Sequence, residues 1–277
     1  WVSDLGCYGG EIDTPTVDHL AAGGVRFTQF YNCARCCPSR AALLTGLYPH
    51  QAGVGDMVDE YARRVREKLN SPAYTDHLSH RTPTLAEVLR GAGYRTYMAG
   101  KWHLGYRQEE WPVSRGFDRS FCVIEGAMNY YGFGMQHTGM ITNPPMALDG
   151  QAYTPPREGF YATTAFTDRA VQFIHEHSGG PFFLYLAYTA PHWPLQAAAA
   201  DIQKYRGRFQ AGWDRLRAAR LARLRQEGMV PDNCALAPRP KAVRAWDTLS
   251  PEERNAAELR FAVYAAQIDN WTGASHG

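Results

Sequence analysis

The stretch from Val25 to Gly46 constrains the fold of this chain more than any other. Residues 25–31 alternate between apolar and polar side chains, which predicts a β-strand. A cysteine-rich loop follows, and residues 36–46 (CCPSRAALLTG) are predicted to form a helix that ends at the glycine. A strand, a loop and a helix in this order are typical of doubly wound α/β sheets, which bind ligands beyond the carboxyl ends of their strands.

Cys36 is predicted to lie at the N-terminus of that helix. The free N–H groups and the positive end of the helix dipole favour an anion there. Arg40 adds a fixed positive charge four residues later. The position therefore indicates an anionic substrate.

The same cysteines allow other interpretations. Cys33 and Cys36 form a C-x-x-C pair, which occurs in redox sites and in half of a zinc site, and a free cysteine is often simply a small buried residue. No second pair of cysteines or histidines follows at zinc-finger spacing, which weakens the metal interpretation. A phosphatase loop of the C-x5-R type does not fit, because Arg40 lies only four residues after Cys36.

Two later segments place basic residues directly after predicted strands. Residues 94–100 are predicted to form a strand, and Lys101 and His103 follow it, two residues apart on an extended segment, so that both point the same way. A cation beside an imidazole suits an oxyanion and a proton transfer, and a surface lysine beside a capping histidine is the alternative. The apolar run 182–188 is predicted to be a buried strand, too short to span a membrane, and His192 follows it.

The motifs C-x-P-S-R at residues 36–40 and L-T-G at residues 44–46 resemble the signature of the type I sulfatases. The segment GKWHL at residues 100–104 resembles the second motif of that family. The resemblance implies the α/β fold of the alkaline phosphatase superfamily, with a doubly wound, mostly parallel sheet flanked by helices. It also implies that a separate formylglycine-generating enzyme oxidises Cys36 to formylglycine, which then contacts a divalent cation, usually calcium.

The resemblance implies a role for each candidate residue. Hydrated formylglycine at Cys36 attacks the sulfur of a sulfate monoester, and its second hydroxyl then releases the sulfate. Arg40 holds the hydrate, and Lys101 binds the sulfate oxygens. His103 is the base for the second hydroxyl, and His192 contacts sulfate and protonates the leaving alcohol. The alternatives are a phosphonate or phosphate ester hydrolase of the same superfamily and a non-catalytic remnant that only binds anions.

Part of the family pattern has no counterpart in this sequence. The family's Asp-Asp pair near its start, and its later Asp-Asn pair and lysine, hold the cation and the sulfate. Asp4 and Asp13 do not match the positions of the first pair. We therefore expect residues 1–277 to be a single sulfatase catalytic domain that is incomplete at both ends, and to be unstable or metal-free on its own.

Composition excludes some classes of partner. The 277 residues carry a formal charge of +2, which gives no general attraction to nucleic acid or to acidic membranes. The pattern of the opening residues predicts no signal peptide, and the six cysteines do not decide the compartment, although the family resemblance favours a periplasmic or extracellular protein. The expected partners are a small-molecule or saccharide sulfate ester and the maturation enzyme. Residues 56–81 and 111–161 are predicted to be irregular excursions.

Overall fold

The computed structural model describes residues 2–133 and 145–272. The helices in these residues are α1 (Pro15–Ala22), α2 (Cys36–Thr45), α3 (Arg63–Leu69), α4 (Leu85–Gly91), α5 (Ala162–His175), α6 (Ala199–Tyr205), α7 (Gly212–Gln226) and α8 (Pro251–Trp271). The strands are β1 (Arg95–Lys101), β2 (Arg119–Val123), β3 (Met146–Leu148), β4 (Gln151–Tyr153) and β5 (Phe182–Ala187).

The contacts divide the chain into two compact units. One unit is Tyr31–Pro194, and the other comprises Trp1–Phe30 and Leu195–Gly277. The sequence had predicted one domain over residues 1–277. All five strands and helices α2 to α5 belong to the first unit, whereas α1 and α6 to α8 belong to the second.

The first unit contains a five-stranded mixed sheet in the order β4-β3-β2-β1-β5. The three longest strands run parallel, with β1 between β2 and β5. β3 and β4 extend the sheet as an antiparallel hairpin. The predicted α/β class is confirmed, and β1, which is buried at all positions except Arg95, has the burial that parallel strands require.

Helices cover both faces of this sheet. Alternate residues of β1 point to opposite faces and pack against different helices. On one side, Met98 packs in a cluster with Ala41 and Leu44 of α2. On the other, Tyr97 and Ala99 pack in a second cluster, with Phe166 and Phe173 among its α5 members. The two clusters make a three-layer unit in which α2 is fixed against one face of the sheet.

Three sequence predictions differ from the structure. Residues 111–161 are not wholly irregular, since they contain β2, β3 and β4. Residues 134–144 within this range lie outside the described residues. Residues 56–81 are not wholly irregular either, because they contain α3. Residues 25–31 form no strand, and Phe27 and Tyr31 are 62% and 84% exposed. A strand needs a hydrogen-bonded neighbour, and no described strand lies alongside this segment.

The second unit is helical. α6 and α8 pack through a cluster that includes Ile12, Tyr205, Phe209 and Ala262. Arg220 of α7 pairs with acidic groups near the chain start, so part of the arginine-rich face of α7 is used internally. Within the described ranges, no helix combines the length and the apolar character needed to cross a membrane.

Candidate active site

Cys36 is the first residue of α2, and its environment differs from that of its neighbour Cys37. Arg35 is the N-cap and has an extended backbone, while the hydroxyl of Ser39 accepts a hydrogen bond from the N–H of Cys33 at 3.2 Å. Cys37 is fully buried in the core on one side of the sheet. Cys36 is only partly buried. The adjacent thiols therefore have different positions, one in the core and one at the helix N-terminus.

Arg40 joins α2 to the central strands. Its Nη1 donates to the backbone carbonyl of Lys101 at 2.6 Å and to the hydroxyl of Tyr185 at 3.1 Å. Lys101 ends β1, and Tyr185 lies on β5. These contacts hold the guanidinium at the carboxyl end of β1, one helical turn from Cys36.

Lys101 and His103 are both buried, at 3% and 2% exposure, and both side chains form hydrogen bonds with the thiol of Cys36. The sequence had predicted an extended segment from Lys101 to His103. In the structure this segment is not extended throughout, because His103 has a φ of +57°. Its backbone N–H donates to the carbonyl of Ile124 at 3.1 Å. This left-handed residue turns the imidazole towards Cys36 immediately after the strand.

His192 approaches the same sulfur from the segment that follows β5. Its Nδ1 lies 2.7 Å from the backbone carbonyl of Trp193, and its own carbonyl accepts a hydrogen bond from the hydroxyl of Tyr130 at 3.0 Å. Because a carbonyl oxygen can only accept, Nδ1 carries the proton in that contact. Nε2 is then the nitrogen that takes or gives a proton in the site.

The charges in this cluster shift several pKa values. Hydrogen bonds from His103 and His192 hold the pKa of Cys36 at about 4, so the unmodified side chain is a thiolate at neutral pH. Burial, together with the charge of Arg40, lowers the pKa of Lys101 to about 8. Burial also lowers the pKa of His103. The cluster stabilises a negative charge at the position of Cys36 by means of basic groups that are largely removed from water.

This electrostatic arrangement predicts the reactivity of the unmodified chain. The rate at which iodoacetamide alkylates Cys36 should be nearly equal at about pH 6 and about pH 8, whereas an ordinary thiol reacts about a hundredfold faster at the higher pH. Peptide mass spectrometry against time measures the rate. Cys37, whose pKa burial raises to about 12, should stay unmodified. A steep rise in the Cys36 rate with pH would contradict the prediction, and His103→Gln should produce such a rise.

Gly126 provides space for the imidazole of His103. A Cβ atom at residue 126 would lie 2.3 Å from Cε1 of that ring, and the ring is too enclosed to move aside easily. Gly126→Ala should therefore displace His103, and we expect the kcat of the matured protein to fall about tenfold to a hundredfold. Gly91→Ala is the matched control, since a Cβ there meets no atom within 4 Å. Equal kcat values for the two variants, with equal melting temperatures, would show that Gly126 does not position the ring.

The described residues around Cys36 do not fit a calcium ion. Calcium takes six to eight oxygen ligands, whereas this cluster offers a thiol, two imidazoles, an ammonium group and a guanidinium. Elsewhere, Asp76, His77 and Glu110 place ligand atoms within 4.8 Å of one another. Arg107 already pairs with both of those carboxylates, which favours an ion-pair cluster over a metal centre.

The fold is that of an α/β protein of the alkaline-phosphatase-like class, which similar solved structures share. The Sulfatase family model matches residues 1–260. The chain belongs to the sulfatase family, whose members generally use formylglycine and a divalent metal.

Individual relatives agree with this assignment. The chain is 36% identical to an uncharacterized sulfatase of Schizosaccharomyces pombe, over 96% of this chain and 50% of the relative. It is 33% identical to an arylsulfatase of Klebsiella aerogenes, over 97% of this chain and 57% of the relative. A crystal structure of Ps i-CgsB in complex with k-i-k-neocarrahexaose matches with a TM-score of 0.61 and 29% identity, covering 82% of this chain and 51% of that one. The chain thus spans about half the length of the curated relatives it matches.

The structure places all five residues singled out in the sequence in one cluster, Cys36, Arg40, Lys101, His103 and His192. Sequence reasoning did not identify Tyr185, Gly126 or Asp59, which contact members of the cluster. Asp59 lies in the predicted irregular excursion 56–81 and had no periodic signal. Gly126 had none either, because a glycine reveals a close approach only once its neighbour is known.

Proposed function

We propose that this chain contains the sulfate-binding and nucleophilic part of a sulfatase that hydrolyses sulfate monoesters, with Cys36 converted to formylglycine. The observation that carries the proposal is the convergence of Lys101, His103 and His192 on the side chain of Cys36. Three basic groups around one reactive position at a helix N-terminus suit an oxyanion that reacts there. Family membership supports the same reaction.

Formylglycine supplies, as its hydrate, two hydroxyl groups on one carbon, so that one can attack sulfur and the other can later give up its proton. Arg40 is fixed by the carbonyl of Lys101 and by Tyr185, and it holds the modified residue in place. The ammonium group of Lys101 binds the sulfate oxygens, where negative charge increases as the ester bond to sulfur breaks.

The two histidines move protons in opposite directions. His192 gives a proton from Nε2 to the departing alcohol oxygen, so the alcohol leaves neutral. With formylglycine at residue 36, His103 would take the proton of the second hydroxyl. The carbon–oxygen double bond of the aldehyde would form again as the bond between that carbon and the sulfated oxygen breaks, so that sulfate leaves with this oxygen. These two proton transfers are thus assigned to one imidazole each, and no step is assigned to a metal ion, because the described residues do not form a calcium site.

The proposal also includes a class of substrate, a maturation partner and a location. The substrate is a sulfate ester of a saccharide or another small alcohol, and the alcohol is not specified by the residues that face the sulfate. The maturation partner is a formylglycine-generating enzyme, and the family suggests a location outside the cytoplasm. The similar structure of Ps i-CgsB was solved in complex with k-i-k-neocarrahexaose, which supports a saccharide as one such alcohol.

Hydrolysis of a matched pair of esters tests the proposal. The full-length protein, expressed with a formylglycine-generating enzyme, should hydrolyse 4-nitrophenyl sulfate with a higher kcat/KM than 4-nitrophenyl phenylphosphonate, and Cys36→Ala should remove both activities. A preference for the phosphonate would establish the alternative hydrolase. Anion binding without turnover of either ester would establish a non-catalytic protein.

A further inference from the structure

Asp59 places a carboxylate beside the buried imidazole of His103. Its Oδ2 lies 3.9 Å from Nε2 of that ring. The backbone around Asp59 is fixed, since its carbonyl accepts hydrogen bonds from Nη1 of Arg66 at 2.8 Å and from the N–H of Ala62 at 3.2 Å. The backbone of Val58, one residue earlier, forms a hydrogen bond with the thiol of Cys37. The segment that carries Asp59 is therefore held against the start of α2.

The hydrogen bonding of both side chains is incomplete. Among the described residues, neither Oδ1 of Asp59 nor Nδ1 of His103 has a hydrogen-bond partner, although both atoms are buried. Gly126 packs against the Cε1 edge of the ring and limits its position, but a glycine makes no side-chain hydrogen bond. The orientation of the ring about its own bond therefore depends on the groups near Nε2, which include Asp59.

The charges around His103 also favour a carboxylate at this place. Lys101 and Arg40 both oppose a positive charge on the imidazole. Tyr106 packs edge-on against the ring. Burial raises the pKa of Tyr106, and the nearby negative charges of Asp59 and Glu125 raise it further. The carboxylate of Asp59 thus lies close enough to act on both the imidazole and the neighbouring Tyr106.

We infer that Asp59 is a positioning residue for His103. Its carboxylate lies beside Nε2 of the buried ring and keeps the imidazole facing Cys36. The inference rests on the proposed role of His103 as the base that assists release of sulfate. It assigns to Asp59 no contact with the substrate.

Three variants of the full-length protein test this inference. Asp59→Asn removes the charge and keeps the size, Asp59→Glu restores the charge, and Glu60→Gln is the matched control, because Glu60 is an exposed neighbour that pairs with Arg63. In the matured protein, Asp59→Asn should lower kcat about tenfold to a hundredfold and leave KM within about twofold. Asp59→Glu should recover part of kcat, and Glu60→Gln should resemble the wild type.

A second measurement needs no maturation. In the unmodified protein labelled with ¹⁵N-histidine, Asp59→Asn should shift the Nε2 resonance of His103, and Glu60→Gln should leave it in place. Wild-type kcat in Asp59→Asn, or equal losses in both Asp59 variants together with lower melting temperatures, would overturn the inference. If the matured wild type has no activity, the proposed function fails, and an unchanged Nε2 resonance in Asp59→Asn would then refute the inference separately.

Discussion

Replacing Lys101 with methionine lowers kcat/KM for a sulfate ester by about a hundredfold to a thousandfold in the matured protein, if Lys101 binds the developing charge on sulfate. The physical reason is that an ammonium group at 3% exposure acts on the sulfate oxygens with little screening by water. Methionine is only one atom shorter than lysine, and the substitution leaves in place the backbone carbonyl that holds Arg40. Steady-state kinetics measure the loss.

The fold should survive this substitution. Burying an ammonium group costs desolvation energy, so removal of the charge leaves the melting temperature unchanged or raises it. Lys68→Met, at an exposed position of α3, is the matched control and should keep wild-type kinetics. A Lys101→Met variant with wild-type kcat/KM would show that the sulfate lies elsewhere. A variant that melts much earlier would show a structural role for the ammonium group.

The second large effect is expected for His103→Ala. Without its base, the protein should complete the attack on sulfur but release sulfate slowly, so that the modified Cys36 carries a covalently bound sulfate during turnover. Rapid acid quenching followed by peptide mass spectrometry should detect this sulfate, and kcat should fall about a hundredfold to ten-thousandfold.

His192→Ala separates the two proton transfers. It should slow the departure of the alcohol, especially for poor leaving groups, and should not accumulate sulfate on the peptide that contains residue 36. His175→Ala, at the exposed end of α5, serves as the unaffected control. Sulfate bound in the His192 variant and absent in the His103 variant would reverse the assignments.

Much of the site was predictable because its residues follow strands in short motifs. Parallel strands direct their carboxyl ends to one edge, so Lys101 after β1 and His192 after β5 had to lie near each other once both strands were recognised. The helix at Cys36 was predictable from its helix-forming residues and its terminal glycine, which has a φ of +70°.

Other features depend on tertiary contacts that a pattern does not contain. The β3–β4 hairpin was missed, although Asp149 and Gly150, both with positive φ, carry the Asp-Gly signal of a two-residue turn. Its strands are three residues long, too short for alternation to be evident. Asp59 precedes His103 by 44 residues in the sequence, so only the folded chain brings the carboxylate close to the imidazole.

Mass spectrometry of the tryptic peptide that contains Cys36 shows whether this residue is converted to formylglycine. The full-length protein is expressed with and without a formylglycine-generating enzyme, and the mass of residue 36 is read from the peptide. We expect the mass of the aldehyde or its hydrate at residue 36 only in the presence of the enzyme, while Cys37 keeps its thiol. A thiol at Cys36 under both conditions would contradict the account and favour a protein that binds anions without catalysis.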